Sequence, residues 1–190
     1  MNRHPLSRSL SLFFPLLLFI CFLPPFSPAF AQPHDGGKGA TPYYVEISIT
    51  GRMLTLYEKR EGEAPVQIRQ YPVGTVAIGN NTYPTGEGKV TRIEFDPWWH
   101  PTPYSRQIFR GRGIVLPPAV PPGDPLNYMG PVKISLSHKT WKGAIYRIHG
   151  NNNPNRVGRR VTGGCFVMHN RDGLELARTI KVGTVVNIIP

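Results

Sequence analysis

Cysteine is scarce in this chain of 190 residues, which contains only Cys21 and Cys165. Cys21 lies in an apolar N-terminal segment, so the remainder of the chain has one thiol and cannot form an internal disulfide. In an oxidising compartment, an unpaired thiol is a liability unless it has a chemical use. Cys165 is therefore a candidate nucleophile, with a buried core residue and half of an intermolecular disulfide as the alternatives.

Apolar runs of membrane-spanning length are also missing. The one long apolar run covers residues 10–23, about 14 positions interrupted by Pro15, whereas a transmembrane helix needs roughly 20. Two arginines precede this run, and Ala-Phe-Ala at positions 29–31 follows it with the small-x-small pattern of a signal peptidase site. We therefore predict a secretory signal peptide at residues 1–31, and contact with a membrane only before its cleavage.

Acidic residues are few, since the chain has 11 Asp and Glu against 22 Lys and Arg. Cleavage after residue 31 removes Arg3 and Arg8 and no acid, which leaves 20 basic residues against 11 acidic ones and a net charge of +9. For an exported protein, this excess favours anionic envelope polymers as partners, and we expect no nucleic acid. Plain solubility is the alternative explanation. A short exported chain suits a periplasm, with secretion or the cell wall as the alternative.

Motifs for metal binding and for papain-like hydrolysis are absent. Neither C-x-x-C nor H-x-x-x-H occurs, although Cys165 and His169 stand close together and His138 and His149 are further candidate ligands. The local signature of papain-like enzymes around the nucleophile is missing, and the candidate histidine precedes the cysteine. We therefore predict no metal and no other cofactor.

Internal repeats and low-complexity tracts are absent as well. Removal of residues 1–31 leaves 159 residues, a length that suits a single domain with its own core. Residues 32–42 are polar and form the predicted linker. Residues 43–190 form the predicted domain.

Helical periodicity is rare, whereas alternation with a period of two is frequent. Val45, Ile47 and Ile49 point to one face of a strand, and a turn at Gly51-Arg52 returns the chain in a hairpin. Further predicted strands cover residues 66–73, 89–95, 132–136, 144–148, 165–168 and 184–189. The predicted fold class is therefore mainly β, a sandwich or a barrel.

A single helix is expected, on the C-terminal side of the domain. Asn170 can cap it over residues 172–180, and Gly183 ends it. Residues 101–131 hold eight prolines. Because proline cannot donate to a central ladder, we predict a long Pro-rich surface loop there, either covering an active site or serving as a passive connector.

His149 and Cys165 lie at predicted strand ends, at the close of AIYRIH and at the start of CFVM. If these strands are neighbours, the imidazole can take the thiol proton, and a lowered thiol pKa would follow. Gly163 and Gly164 permit backbone angles that direct amide N–H groups into one concavity. Such amides stabilise the oxyanion of a tetrahedral intermediate, although a Thr-Gly-Gly turn is also an ordinary loop.

The segment HGNNNPNRVGRRVTGGCFVMHN resembles the active-site signature of L,D-transpeptidases of the YkuD type, which link peptidoglycan stem peptides through a cysteine. Upstream, TYPTGEGKV, DPWWHPTP and PPAVPPGDPLNYMG are similar to further family segments. Downstream, NRDGLELARTIKVGTVVNII is similar to the family's closing helix and last strand. The resemblance covers residues 44–189 and identifies residues 43–190 as an L,D-transpeptidase catalytic domain.

This resemblance implies a two-step acyl transfer without a cofactor. Cys165 attacks the carbonyl of the L-centred third residue of a donor tetrapeptide, D-alanine leaves, and an amine of a second stem peptide resolves the thioester. His149 is the base for the thiol and the acid for the leaving amine, and the Gly150 carbonyl orients its ring. The predicted oxyanion hole consists of the amides of Gly164 and Cys165, with Gly163 beside them.

Thr162, Arg147 and Asn152 are the predicted substrate-binding residues. The chain departs from the family at two positions, because Gly163 stands where histidine or lysine is frequent and Val167 where arginine or asparagine is frequent. If the missing contacts form in the transition state, their loss lowers turnover. The arginines at 147, 156, 159 and 160 either restore the charge or belong to a solvated basic loop.

Three functions therefore remain open for these residues. The first is an exported cysteine acyltransferase that acts on peptidoglycan stem peptides. The second is a weakly active or non-catalytic cell-wall binding protein. The third is an L,D-carboxypeptidase or a D-amino-acid exchange activity on the same domain.

Overall fold

The computed structural model describes residues 42–79, 85–139 and 145–190. The predicted signal peptide at residues 1–31 lies outside these ranges, as does the predicted linker apart from Pro42. Both stay predictions. The described residues belong to one unit, Lys38–Pro190, of the two into which the chain divides.

The described residues form ten strands, two α-helices and one short 3₁₀ helix. In chain order, the strands and α-helices are β1 (Tyr43–Ser48), β2 (Met53–Glu58), β3 (Val66–Pro72), β4 (Thr75–Val76), β5 (Gly86–Phe95), α1 (Pro103–Arg110), β6 (Val132–Lys139), β7 (Ile145–His149), β8 (Arg160–Thr162), β9 (Phe166–Val167), α2 (Asn170–Thr179) and β10 (Val185–Ile189). The 3₁₀ helix, Pro154–Arg156, lies between β7 and β8. The fold is mainly β, which confirms the predicted class.

Eight strands form one curled sheet in the order β3-β2-β1-β10-β5-β6-β7-β9. β1 is parallel to β10 and β7 is parallel to β9, while the other neighbours are antiparallel. Gly74, two residues after β3, exchanges both backbone hydrogen bonds with Val167 on β9, at 2.7 and 2.9 Å. Because β3 and β9 are the edge strands, this bridge brings the two edges of the sheet together. The small parallel pair of β4 and β8 lies beside it.

The main hydrophobic core lies between the curled sheet and α2. In β1, Val45 and Ile47 are fully buried while the residues between them are partly exposed, as a period of two requires. β6 shows the same alternation over its whole length. The sequence pattern therefore sets which face of each strand enters the core.

Helix α2 begins two residues earlier than predicted, and Asn170 does not cap it. Its N-cap residue is His169, which makes no side-chain capping hydrogen bond. The side-chain Oδ1 of Asn170 instead accepts a hydrogen bond from the backbone N–H of Asn151, at 2.7 Å. Leu176 is fully buried in the main core. No helix among the described residues is long and apolar enough to cross a membrane.

The Pro-rich region at residues 101–131 contains a helix that the sequence analysis did not predict. Thr102 caps α1 by accepting a hydrogen bond from the backbone N–H of Ser105, and Pro103 occupies the first turn, where its missing N–H costs nothing. The described residues thus contain two α-helices, the predicted one and α1, whereas the sequence predicted only one. Proline here begins a helix instead of excluding one.

The same region has a second hydrophobic cluster of its own. Phe109, Leu116 and Val120 are buried together with Trp99, which lies just before the region, and other apolar side chains of the region pack against them. The guanidinium of Arg106 donates to the backbone carbonyls of Leu116, Pro117 and Pro118, at 2.8, 3.0 and 3.2 Å. The Pro-rich region is thus an ordered part of the domain.

Candidate active site

Two adjacent parallel strands bring His149 and Cys165 to the same edge of the curled sheet. In the register of β7 and β9, Ile148 lies opposite Phe166 and His149 lies opposite Val167. Cys165 directly precedes β9, so it is the diagonal neighbour of His149. The two strands are therefore neighbours, as proton transfer from the thiol to the imidazole requires.

Both residues line a cleft with a volume of about 740 Å³. The nucleophile loop, Thr162 to Cys165, and the end of β7 form one wall. Trp99, and Phe109 and Tyr128 of the Pro-rich region, also line the cleft, and these three rings are called the aromatic wall. These three rings contact one another, with Trp99 and Tyr128 stacked at 4.9 Å between centroids. The second hydrophobic cluster therefore supports a wall of the site.

The ring of His149 is buried and oriented by the backbone. Its Nδ1 lies 2.6 Å from the carbonyl oxygen of Gly150. Because a carbonyl can only accept, Nδ1 donates the hydrogen and the neutral ring keeps the lone pair on Nε2. The resemblance implied this orienting role for the Gly150 carbonyl, and the structure contains the contact.

Burial lowers the pKa of His149 to about 4. The carbonyls of Gly150 and Tyr128 favour the charged ring and oppose this shift, while the charges of Arg156 and Arg147 add to it. His149 is therefore neutral near pH 7 and able to accept a proton.

The thiol of Cys165 is neutral in the resting site. Burial raises the pKa of Cys165, and the charge of Arg147, hydrogen bonds from Arg147 and the charge of Arg156 oppose that shift without reversing it. The lowered thiol pKa expected from the sequence is not what this environment produces. The resting pair is thus a neutral thiol with a neutral imidazole.

Hydrogen bonds of Thr162 shape the nucleophile loop. Its Oγ1 donates to the carbonyl of Cys165 at 2.7 Å and accepts from the amide of Gly164 at 3.2 Å. The Gly164 amide, a predicted oxyanion donor, is therefore engaged by Thr162 in this structure. The hydroxyl of Thr162, a predicted substrate ligand, is used within the loop.

Gly164 has a φ of +139°, in the region that favours glycine. A Cβ at this position would stand 3.5 to 3.7 Å from the ring of Tyr146. The conformation, more than the space, therefore requires glycine directly before Cys165.

Gly163 and Val167, the two residues that depart from the family pattern, have different surroundings. Gly163 is exposed at the cleft, and a Cβ there would have no neighbour within 4 Å. Val167 is fully buried beside Gly74. A longer side chain therefore has room at position 163, whereas Val167 is not among the described residues that line the cleft.

The other two predicted substrate-binding residues, Arg147 and Asn152, differ in their position relative to the cleft. Arg147 lines the cleft near the thiol. Asn152 is exposed, its Nδ2 donates to the carbonyl of Pro125 at 2.6 Å, and it is not among the described residues that line the cleft. Its neighbours Asn153 and Asn155 line the cleft instead.

The sequence did not predict the aromatic wall. It also did not distinguish the arginines that line the cleft from those that do not. Arg147, Arg156 and Arg159 line the cleft, whereas Arg160 is not among the described lining residues. The sequence signals for the aromatic wall were the segments DPWWHPTP, which contains Trp99, and PPAVPPGDPLNYMG, which contains Tyr128. Within the described ranges, no group of three or more His, Cys, Asp or Glu is arranged to hold a metal ion.

The model of the YkuD family, the L,D-transpeptidase catalytic domain, matches residues 42–188. The chain belongs to this family, which confirms the resemblance read from the sequence.

Among relatives, YkuD of Bacillus licheniformis, named as an L,D-transpeptidase, is 34% identical over 149 residues, which are 78% of this chain and 67% of that protein. YcfS of Escherichia coli, also named as an L,D-transpeptidase, is 35% identical over 75% of this chain and 43% of that protein. The chain thus spans about two thirds of the first relative and less than half of the second.

Solved structures show the same fold at low sequence identity. L,D-transpeptidase 3 of Mycobacterium tuberculosis aligns with a TM-score of 0.50 and 14% identity, over 78% of this chain and 61% of that one. Bd1075 of Bdellovibrio bacteriovorus aligns with a TM-score of 0.54 and 18% identity, over 79% and 48%. These similarities concern the fold alone.

Proposed function

We propose that the protein is an exported cysteine acyltransferase that performs L,D-transpeptidation on peptidoglycan stem peptides. The observation that carries the proposal is the pair of Cys165 and His149 on adjacent strand ends in one cleft, with the His149 ring fixed by the Gly150 carbonyl. Family membership supplies the substrate class. Periplasmic location and the cleaved signal peptide are part of the proposal.

The first step transfers the acyl group of the donor to sulfur. Nε2 of His149 takes the thiol proton as Sγ of Cys165 bonds to the carbonyl carbon of the third residue. The tetrahedral intermediate then collapses, the C–N bond breaks, and the imidazolium of His149 returns the proton to the leaving amine. D-Alanine departs and a thioester remains on Cys165.

The surroundings of the pair favour this order of events. A neutral His149 is in the correct state to accept a proton, and the charge of Arg147 stabilises the sulfur as it becomes anionic.

The second step releases the acyl group to an acceptor. His149 takes a proton from the attacking amine, the new C–N bond forms, the C–S bond breaks, and the thiol is regenerated. If water attacks instead, the same steps give an L,D-carboxypeptidase, and a free D-amino acid gives exchange. The product mass distinguishes these three outcomes.

The test is incubation of the mature protein with a defined tetrapeptide donor and an amine acceptor, followed by mass analysis of protein and products. We expect a thioester adduct on Cys165, release of D-alanine and a cross-linked or exchanged product. The Cys165→Ala variant should give none of these. Normal binding to isolated sacculi without any turnover by the wild type would instead establish the non-catalytic cell-wall binding protein.

A further inference from the structure

Arg156 lies in the cleft with its guanidinium over the ring of Tyr128. It is the last residue of the 3₁₀ helix Pro154–Arg156 and lines the cleft together with Cys165. Its Cζ lies 4.8 Å from the ring centroid of Tyr128, a cation–π contact that holds the guanidinium against the aromatic wall. The guanidinium is therefore positioned before any ligand arrives.

Part of this guanidinium is buried without an acceptor. Nη1 of Arg156 is inaccessible and has no hydrogen-bond partner among the described residues. None of the salt bridges in the described ranges includes Arg156. Buried charged donors almost always have a partner, because removing them from water is costly. An unpaired buried donor in a ligand cleft therefore indicates an acceptor that the ligand supplies.

The charge of the cleft indicates the type of ligand. Five basic side chains are among the described residues that line it, and none of the described lining residues is Asp or Glu: Arg112, Lys133, Arg147, Arg156 and Arg159. Lys133 is already paired with Glu94 at 2.8 Å. The cleft is therefore suited to a peptide that carries carboxylates.

The backbone of Arg156 is anchored next to the strand that follows the nucleophile. The carbonyl of Arg156 lies so close to Gly74 that a Cβ there would collide with it. Gly74 in turn pairs with Val167 through two backbone hydrogen bonds. The backbone of Arg156 is thus held next to the bridge between Gly74 and Val167.

We propose that Arg156 binds the C-terminal carboxylate of the donor peptide, which belongs to the amino acid that leaves. This inference rests on the proposed function. The leaving residue places its carboxylate one Cα beyond the scissile nitrogen, close to the attacked carbonyl. Arg156 lines the same cleft as Cys165 and His149, so its side chain lies in that neighbourhood. A planar guanidinium matches a carboxylate in two parallel hydrogen bonds.

The first test compares a tetrapeptide donor that ends in a free carboxylate with the same peptide ending in a carboxamide. We expect the wild type to prefer the carboxylate by about 10- to 100-fold in kcat/KM, as for loss of a charge-assisted hydrogen bond. Arg156→Gln should reduce this ratio to near 1, and Arg156→Lys should give an intermediate ratio. Arg159→Gln, which removes the same charge from the same cleft, should keep the wild-type ratio.

A second test measures binding without turnover. Cys165→Ala should bind the carboxylate peptide about 10- to 100-fold more tightly than the carboxamide, and the double variant with Arg156→Gln should bind both equally. Circular dichroism and alkylation of Cys165 by uncharged iodoacetamide, in the variants that keep the thiol, verify folding and access to the site.

The two proposals fail in different ways. If the wild type releases no D-alanine while Cys165→Ala still discriminates through Arg156, the transpeptidase function fails and the carboxylate site stands. If Arg156→Gln keeps the preference for the carboxylate in both turnover and binding, the role of Arg156 is wrong whatever the activity.

Discussion

At the scale of single residues, the site depends on how burial sets two protonation states. Cys165 and His149 are both neutral at rest, because desolvation raises the pKa of the thiol and lowers that of the imidazole. In the proposed mechanism, the thiol proton must therefore move to His149 during attack, a transfer that a thiolate–imidazolium pair would not need. The reactivity of Cys165 should therefore follow the protonation of His149.

The pH dependence of acylation tests this point. His149 must be neutral to act as a base, and its pKa is lowered to about 4. The rate of Cys165 acylation by the tetrapeptide donor should therefore rise through about pH 4 and change little between pH 5 and 7. His149→Gln should lower the rate by about 100-fold or more and remove this step. A midpoint near the usual histidine value of about 6.5 would contradict the assignment; circular dichroism at each pH provides the control for folding.

At the scale of secondary-structure elements, the Pro-rich region decides the shape of the cleft. Thr102 and Pro103 begin α1, and the buried rings of Trp99 and Phe109 join it to the rest of the region. Sequence reasoning read the prolines as a sign of a loop because proline is excluded from sheet interiors. The same residue is favoured in the first turn of a helix, and composition alone does not separate the two uses.

Arg106 provides a test of this element. Its guanidinium donates to three successive backbone carbonyls after α1, so Arg106→Ala should destabilise the region by about 1–2 kcal/mol. Hydrogen exchange of residues 103–129 should become faster, and kcat/KM should fall as the aromatic wall loosens. The matched control is Arg110→Ala on the same helix, whose side chain is exposed. Equal exchange rates in the two variants would show that Arg106 does not hold the region together.

At the scale of the whole molecule, the chain combines one catalytic domain with a predicted export signal. The domain closes on itself through the bridge between Gly74 and Val167, which joins the edges of the curled sheet. The predicted +9 charge of the mature chain and the basic cleft both suit an anionic polymer outside the cytoplasm.

Export gives a prediction at this scale. We expect the protein purified from the periplasm of its host to begin at Gln32, after cleavage behind Ala31, as measured by N-terminal sequencing or intact mass. Ala31→Glu should block cleavage and shift the mass to that of the precursor, whereas Gln32→Glu should not. A protein that keeps residues 1–31 in the cytoplasm would contradict both the signal peptide and the envelope substrate.

The sequence by itself determined the class of the fold and the family, and it singled out His149 and Cys165 as the candidate reacting pair. Period-two alternation is local, so residues such as Val45 and Ile47 reveal their strand without any knowledge of its neighbours. The signature from His149 to Cys165 is likewise contained in one short segment. These features are readable because they depend on residue spacing along the chain.

Only the tertiary structure decided the protonation states of His149 and Cys165. It also decided which groups Asn170 and Arg156 contact. The pKa values of His149 and Cys165 follow from burial, which elements distant in sequence create. The sequence favours Asn170 as a helix cap, but in the folded chain its Oδ1 accepts a hydrogen bond from the backbone N–H of Asn151. Among several nearby arginines, packing against Tyr128 and Gly74 singles out Arg156. Desolvation and long-range contacts arise only when the chain is folded, and they distinguish side chains that look alike in the sequence.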